Sequence, residues 1–151
     1  MYHKLFKPLS VNLATLGPIG YLPARGTIAT LFTLFIVYFL KNFDYLESLL
    51  FLIFCSFLIF NIVKNSLKYF KKSDPLEIVA DEVLGCLITF YTIPFSKINL
   101  IIGFLLFRFF DIFKPFGIKK LEKISGPWGI LLDDIVAGLI SNIFLRFFIY
   151  E

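Results

Sequence analysis

FRFFDIFKPFGIKKLEKISGPWGILLDDIVAG, residues 107–138, is the stretch from which the fold is read. Two strongly apolar segments flank a short basic loop. Charges sit inside segments that normally carry none: Arg108, Asp111 and Lys114 close the first, and Asp133 and Asp134 open the second. Ionisable groups in segments of hydrocarbon character are costly and mark working sites. The stretch predicts a small integral membrane protein with a metal-dependent, phosphate-handling site at one face of the bilayer.

Composition agrees. Of 151 residues, 58% are hydrophobic and 21 are Phe, and the mean hydropathy is +0.84. A water-soluble chain of this size cannot hide so much apolar surface, so lipid is the natural solvent. The expected fold is all-α: one domain over residues 1–151, a small polytopic membrane helical bundle of about four to five apolar helices. A soluble all-α protein with a very apolar core is the competing reading, because some apolar runs are short for spans. The net charge of +4 is modest and reflects loop topology rather than a nucleic-acid partner. Cys55 and Cys86 lie in apolar runs without metal-ligand spacing, which points to packing rather than a disulfide framework. His3 is the only histidine, in a polar segment where solvation is expected. Lys4 and Lys7 resemble the charged start of a signal peptide. No compact apolar core with a small-residue cleavage site follows, so no cleavage is expected.

The apolar runs are 27–40, 49–63, 78–95, 99–113 and 128–150. Residues 1–26 read as a short helix followed by the loop GPIGYLPARGT. Thr27 is the expected cap of the next helix, and Gly26 permits close backbone approach. Residues 41–47 are a polar break. Residues 64–77 are a basic loop in which Asp74-Pro75 signals a turn or helix start, and 116–127 are a second basic loop. One set of ends carries Lys4, Lys7, Arg25, Lys64, Lys68, Lys71, Lys72, Lys114, Lys119, Lys120 and Lys123; the other carries Lys41, Lys97 and Arg146. With five spans, the positive-inside rule puts the N-terminus in the cytoplasm and the C-terminus outside. The unusual polar groups then all gather at the cytoplasmic end.

Asp81 and Gly85, like Asp134 and Gly138, are i,i+4 pairs, one turn apart on a helix face. A small residue beside a carboxylate lets a neighbouring helix come close. Clustered carboxylates repel at low dielectric, and a hard divalent cation such as Mg²⁺ relieves that repulsion with oxygen ligands. Acidic residues favoured at helix N-termini are the bland alternative; they explain one acid at each start better than two. Arg108 and Asp111 have the spacing of a structural ion pair. Lys114, beside Pro115, either meets a phosphate as a point charge or snorkels to the interface. Gly26-Thr27 at a helix N-terminus offers an anion cradle. The chain has no Cys-x₅-Arg, no Asp-x-Asp and no Gly-x₄-Gly-Lys-Ser/Thr, and His3 alone cannot support phosphohistidine chemistry. Carboxylates and cations are what is left, and metal-assisted hydrolysis is the economical chemistry for them.

Three blocks resemble the phosphatidylglycerophosphatase A family of bacterial membrane enzymes. IVADEVLGCLITFYTIP (78–94) is similar to its DE-x-x-G block. FRFFDIFKP (107–115) is similar to its FR-x-x-D-x-x-KP block, and GPWGILLDDIVAG (126–138) to its G-x-x-G-I-x-x-DD-x-x-AG block. The resemblance runs from about Gly17 to the C-terminal helix. It departs at LPARGTIATL, where Arg25 precedes Gly26-Thr27 and Ala29-Thr30-Leu31 follows; the family usually shows Pro-Gly-Thr and then Gly-Ser-Leu. Gly117 and Pro127 also stand where Pro and Gly are more usual.

The resemblance implies Mg²⁺-dependent removal of the terminal phosphate of phosphatidylglycerophosphate, giving phosphatidylglycerol and inorganic phosphate. It implies Asp81, Glu82, Asp133 and Asp134 as metal-holding and water-activating acids, with Asp111 a further catalytic acid. Arg25, Arg108 and Lys114 are implied as phosphate-neutralising cations, and Thr27 as a hydrogen-bond donor to a phosphate oxygen. The substrate is an anionic phospholipid, met at the cytoplasmic face of the bacterial inner membrane by a multi-pass protein. The reading from another class is a non-enzymatic membrane cation carrier using the same acids, which calls for acids spread through the depth of the bilayer.

Overall fold

The computed structural model describes residues 8–150, so His3, Lys4 and Lys7 lie outside the described residues. Among those residues there are six α-helices and no strand. They are α1 (Leu9–Ala14), α2 (Arg25–Leu40), α3 (Tyr45–Ser66), α4 (Ala80–Thr89), α5 (Lys97–Phe113) and α6 (Pro127–Tyr150), joined in part by 3₁₀ turns. The all-α expectation holds.

Local chemistry sets the helix boundaries. Asp44 accepts a hydrogen bond from Glu47 N at 2.8 Å, and Glu47 Oε2 accepts one from Asp44 N at 3.0 Å. This reciprocal capping box starts α3 inside what reads from composition as a polar break. Ser96 caps α5 by accepting from Asn99 N at 3.0 Å. Pro127 opens α6 at the position where a missing N–H costs nothing. Thr27 is not the cap of α2. Ala24, held at φ +55°, turns the chain so that the helix already begins at Arg25, and Thr27 falls within its first turn.

The third apolar run is not one long helix. Only Ala80–Thr89 is helical; the chain then turns through Thr92, at φ +55°, toward Pro94, which disfavours helix at the residue before it. The carbonyls released at the end of α4 are collected by α6. Asn142 Nδ2 donates to Thr89 O at 2.9 Å, to Tyr91 O at 2.9 Å and to Ile88 O at 3.3 Å. Arg146 donates through Nε to Asn142 Oδ1 at 2.9 Å and through Nη2 to Tyr91 O at 3.2 Å. At the other end of the helix, Val79 N donates to Ala14 O at 2.9 Å, which ties α1 to the start of α4.

α4 is the centre of the bundle. Every residue from Val83 to Thr89 is buried, and α2, α3, α5 and α6 pack around it. One apolar cluster joins Ile59 and Val63 of α3 to Val83, Leu84 and Leu87 of α4 and to Ile130 and Leu131 of α6. A second joins Cys86 and Phe90 to Phe107 and Phe110 of α5 and to Ala137 and Leu145 of α6. Buried hydroxyls close on their own helices: Thr30 Oγ1 donates to Gly26 O at 2.8 Å and Thr89 Oγ1 to Gly85 O at 3.0 Å.

The outward faces are apolar as well. On α3, Leu46, Leu50, Ile53 and Phe57 are exposed at helical spacing; on α5, Ile98, Ile101, Leu105, Phe109 and Ile112; on α6, Leu139, Ile143 and Phe147. A soluble helix turns its polar stripe to water. These helices turn hydrocarbon outward, which fits lipid and disfavours the soluble reading. Two helices, Tyr45–Tyr69 and Pro127–Ile149, are long and apolar enough to cross a bilayer. α2 and α5, of 16 and 17 residues, are shorter, and α4 has only 10. Among the described residues, then, two helices have both the length and the apolar character of a full span, and the third run contributes only the short α4, whose apolar residues serve the interior.

Candidate active site

Polar groups that are far apart in sequence line one cavity of about 500 Å³. Asp81 and Glu82 stand in the first turn of α4, and no side chain caps that helix. Arg108 and Asp111 come from the last turns of α5, Lys114 from its end, and Asp133 and Asp134 from α6; Arg25 and Gly26 open α2. Asp133 and Asp134 lie about two turns inside α6, which begins at Pro127. The macrodipole account, in which acids sit at helix starts, therefore fits Asp81 and Glu82 but not this pair.

Glycines bring the acid-bearing helices together. A Cβ on Gly85 would stand 2.6 Å from the Asp134 carbonyl oxygen, and one on Gly138 would collide with the Gly85 carbonyl oxygen. α4 and α6 thus cross with main chain against main chain, beside Asp81 and Asp134. The i,i+4 carboxylate–glycine spacing predicted this approach. Gly26 has a similar use on α2: a Cβ there would overlap Glu82 Oε1 and stand 3.0 Å from Arg108 Nη1.

Asp81, Glu82 and Asp134 each offer a carboxylate oxygen, all three within 4.8 Å of one another. At that separation each charged pair would repel by roughly 3 kcal/mol at an effective dielectric of 20. Asp81 Oδ1 and Glu82 Oε2 are buried and have no hydrogen-bond partner among the described residues. Buried carboxylate oxygens without partners, facing one another, form a donor set that suits a hard divalent cation. Asp133 is placed differently. Its Oδ2 accepts from Lys114 Nζ, while its Oδ1 is buried without a partner among the described residues. Lys114 reaches it because the residue adopts φ +45° at the end of α5 and swings the chain toward α6.

Arg108 Nη1 donates to Asp111 Oδ2 at 2.5 Å, the ion pair expected from their spacing. Thr27 is half-buried in the first turn of α2 and is not part of the cavity lining. The cavity also takes in Asp74 and Pro75 from the loop before α4, which from sequence alone read as a turn or helix start. The bonding role of Asn142 and Arg146 was not read from the sequence, where Arg146 counts only as a charge; no motif marks a side chain that captures another helix's carbonyls.

The family described as phosphatidylglycerophosphatase A matches residues 12–149. A Bacteroides thetaiotaomicron protein named "Putative phosphatidylinositol-3-phosphatase" is 37% identical over 84 residues, covering 54% of this chain and 53% of that protein. Phosphatidylglycerophosphatase A of Escherichia coli K12 is 40% identical over 72 residues, covering 46% of this chain and 42% of that protein. Phosphatidylglycerophosphatase A of Haemophilus influenzae is 43% identical over 68 residues, covering 44% and 42%. The chain thus spans about half the length of the curated relatives it matches, or less. No solved structure matches it. Since the family match runs through all six helices and every residue lining the cavity, the chain belongs to the phosphatidylglycerophosphatase A family.

Proposed function

We propose that the chain is a Mg²⁺-dependent membrane phosphatase. It removes the terminal phosphate of phosphatidylglycerophosphate at the cytoplasmic face of the bacterial inner membrane and releases phosphatidylglycerol and inorganic phosphate. Family membership supports the reaction. The observation that carries the chemistry is the convergence of Asp81, Glu82 and Asp134 within 4.8 Å in a cavity that also holds Arg25, Arg108 and Lys114. Asp81, Glu82 and Asp134 would hold the metal, with the unpartnered Oδ1 of Asp133 beside them. Bound there, Mg²⁺ supplies Lewis acidity to the phosphoryl oxygens and lowers the pKa of the attacking water.

The protein's own groups do the rest. Asp133 fixes Lys114, and Asp111 fixes Arg108, so both cations are oriented before substrate arrives. Their charge favours the phosphate dianion and the charge that develops on its oxygens. A metal-held acid, Asp111 or Asp133 receives the proton from the attacking water. The basic loops around Lys71 and Lys120 attract anionic headgroups.

The carrier reading draws little support here, since the acids meet in one cavity rather than following the depth of the bilayer. The name of the Bacteroides relative adds phosphatidylinositol 3-phosphate to the substrates worth assaying. In detergent with Mg²⁺ and phosphatidylglycerophosphate, Asp81→Asn and Asp134→Asn are each expected to lower phosphate release on the order of 100-fold or more. Release that persists unchanged in both variants removes these acids from the mechanism.

A further inference from the structure

The end of α3 carries lysines that take no part in the acid cavity. The outward stripe of this helix runs through Leu50, Phe54, Phe57, Asn61 and Lys64 to Lys68, which lies in the 3₁₀ turn (Leu67–Tyr69) that extends it. Alternating steps of four and three residues keep these side chains on one face. Leu50, Phe54 and Phe57 are 58%, 61% and 70% exposed, Asn61 is partly buried, and both lysines are exposed. None of the six lines the acid cavity. Lys64 and Lys68 have no ion pair among the described residues. Lys68 Nζ donates to the neutral Asn65 Oδ1 at 3.4 Å, which leaves its charge uncompensated.

The stripe changes character in the order in which a phospholipid does. Leu50, Phe54 and Phe57 offer hydrocarbon to acyl chains. Asn61 Nδ2 donates to Phe57 O at 2.8 Å, which uses one of its two hydrogens. The other is left for an acceptor at the point where the stripe stops being hydrocarbon. Lys64 stands about 4 Å farther toward water than Asn61, and Lys68 about 10 Å. The headgroup layer is about 5–7 Å deep. An ester carbonyl beside Asn61 therefore puts the phosphate between the two ammonium groups.

A second copy of the chain suits the stripe less well. Two copies inserted the same way meet about an axis along the bilayer normal, which sets each residue of the stripe against its own copy. Lys64 and Lys68 would then face like charges, with no acid on the stripe to offset them. We infer that the outward stripe of α3 is a binding site for one anionic phosphodiester phospholipid, with its phosphate held by Lys64 and Lys68 and its chains along Phe54 and Phe57. This lipid is a resident of the protein's surface and not a substrate in the cavity. The inference needs α3 to cross a bilayer and does not depend on the phosphatase reading.

The test reads lipid at the stripe itself. Trp128 is the only tryptophan, so Trp128→Phe with Phe57→Trp places a single fluorophore there. The full chain is reconstituted in phosphatidylcholine vesicles, and either phosphatidylglycerol or phosphatidylcholine brominated in its acyl chains is added as quencher. Phosphatidylglycerol is expected to quench with a relative affinity about fivefold or more above phosphatidylcholine, the order expected for one lysine near an anionic headgroup. Adding Lys64→Gln and Lys68→Gln is expected to bring that ratio close to one. Lys119→Gln with Lys120→Gln, on the other basic loop, is expected to leave it unchanged. Equal quenching by the two lipids in the reporter protein overturns the inference. So does an equal loss of preference in the Lys119 and Lys120 variant, which would reduce the effect to general surface charge. Protection of the fluorophore from both lipids also overturns it, since a second copy would then cover the stripe.

Discussion

At Gly85 a hydrogen stands where any side chain would meet the Asp134 carbonyl oxygen and the Phe107 ring, each at 2.6 Å. One neighbour is main chain and the other is a fully buried aromatic ring, so neither yields cheaply. Gly85→Ala is expected to push α4 from α6, at a cost of about 1–3 kcal/mol. Phosphate release is expected to fall on the order of 10-fold or more, because the carboxylates on the two helices separate. Thermal unfolding in detergent and the phosphate assay measure the two effects. At this scale the sequence was informative wherever a residue acts within its own helix. The Arg108–Asp111 pair and the carboxylate–glycine spacings could be read from i,i+3 and i,i+4 offsets. The bond between Lys114 and Asp133 could not, because it depends on a left-handed residue at the end of one helix and on the docking of another. Nor could the division of the four acids into a converging trio and a lysine-bound fourth, which is a matter of helix rotation rather than residue type.

α4 is the element whose role differs most from its appearance. An apolar run of 18 residues suggests a span, yet 10 are helical, rising about 15 Å. Hydropathy reports what a segment avoids, which is water; it does not distinguish lipid from protein as the alternative. The end of α4 needs partners because its carbonyls lie in apolar surroundings, and Asn142 with Arg146 supplies them. Asn142→Ala is expected to cost about 1–3 kcal/mol by leaving the carbonyls of Ile88, Thr89 and Tyr91 without this donor. Chemical denaturation in mixed micelles measures that loss. The apolar runs gave the ends of α2, α5 and α6 at Leu40, Phe113 and Tyr150, but the start of α3 lay inside the polar break and α2 began before Thr27. The Asp44–Glu47 spacing carries the capping-box pattern and the Gly-Pro before Trp128 marks α6, whereas the stop of α4 is decided by another helix.

For the molecule as a whole, the loops before α4 and after α5 belong to the cavity end, since Asp74 and Lys114 both line it. Lys41 and Lys97 belong to the far end, where the close of α2 and the start of α5 meet. Cysteines introduced singly as Lys72→Cys and Lys120→Cys are expected to react with a membrane-impermeant thiol reagent in inside-out vesicles. Lys97→Cys is expected to react in right-side-out ones. The parent protein is the blank; reaction of all three from one side would overturn the orientation. Sequence counting placed the charges at two ends and drew the polar groups to one; the cavity brings together Arg25, Asp81, Glu82, Arg108, Asp111, Lys114, Asp133 and Asp134, while Thr27 lies outside its lining. Hydropathy alone does not count crossings: in the run 78–95 the helix is short and its apolar residues are buried within the bundle.

The two glycines where α4 crosses α6, together with Asn142 farther along the same helix, pin α4 at separate heights. Two pins remove the freedom to swivel or slide that a single crossing point would leave. When a thinner or thicker bilayer tips α6, its inner companion is carried along like a splint, and the clustered carboxylate oxygens keep their mutual spacing while the sheath around them adjusts.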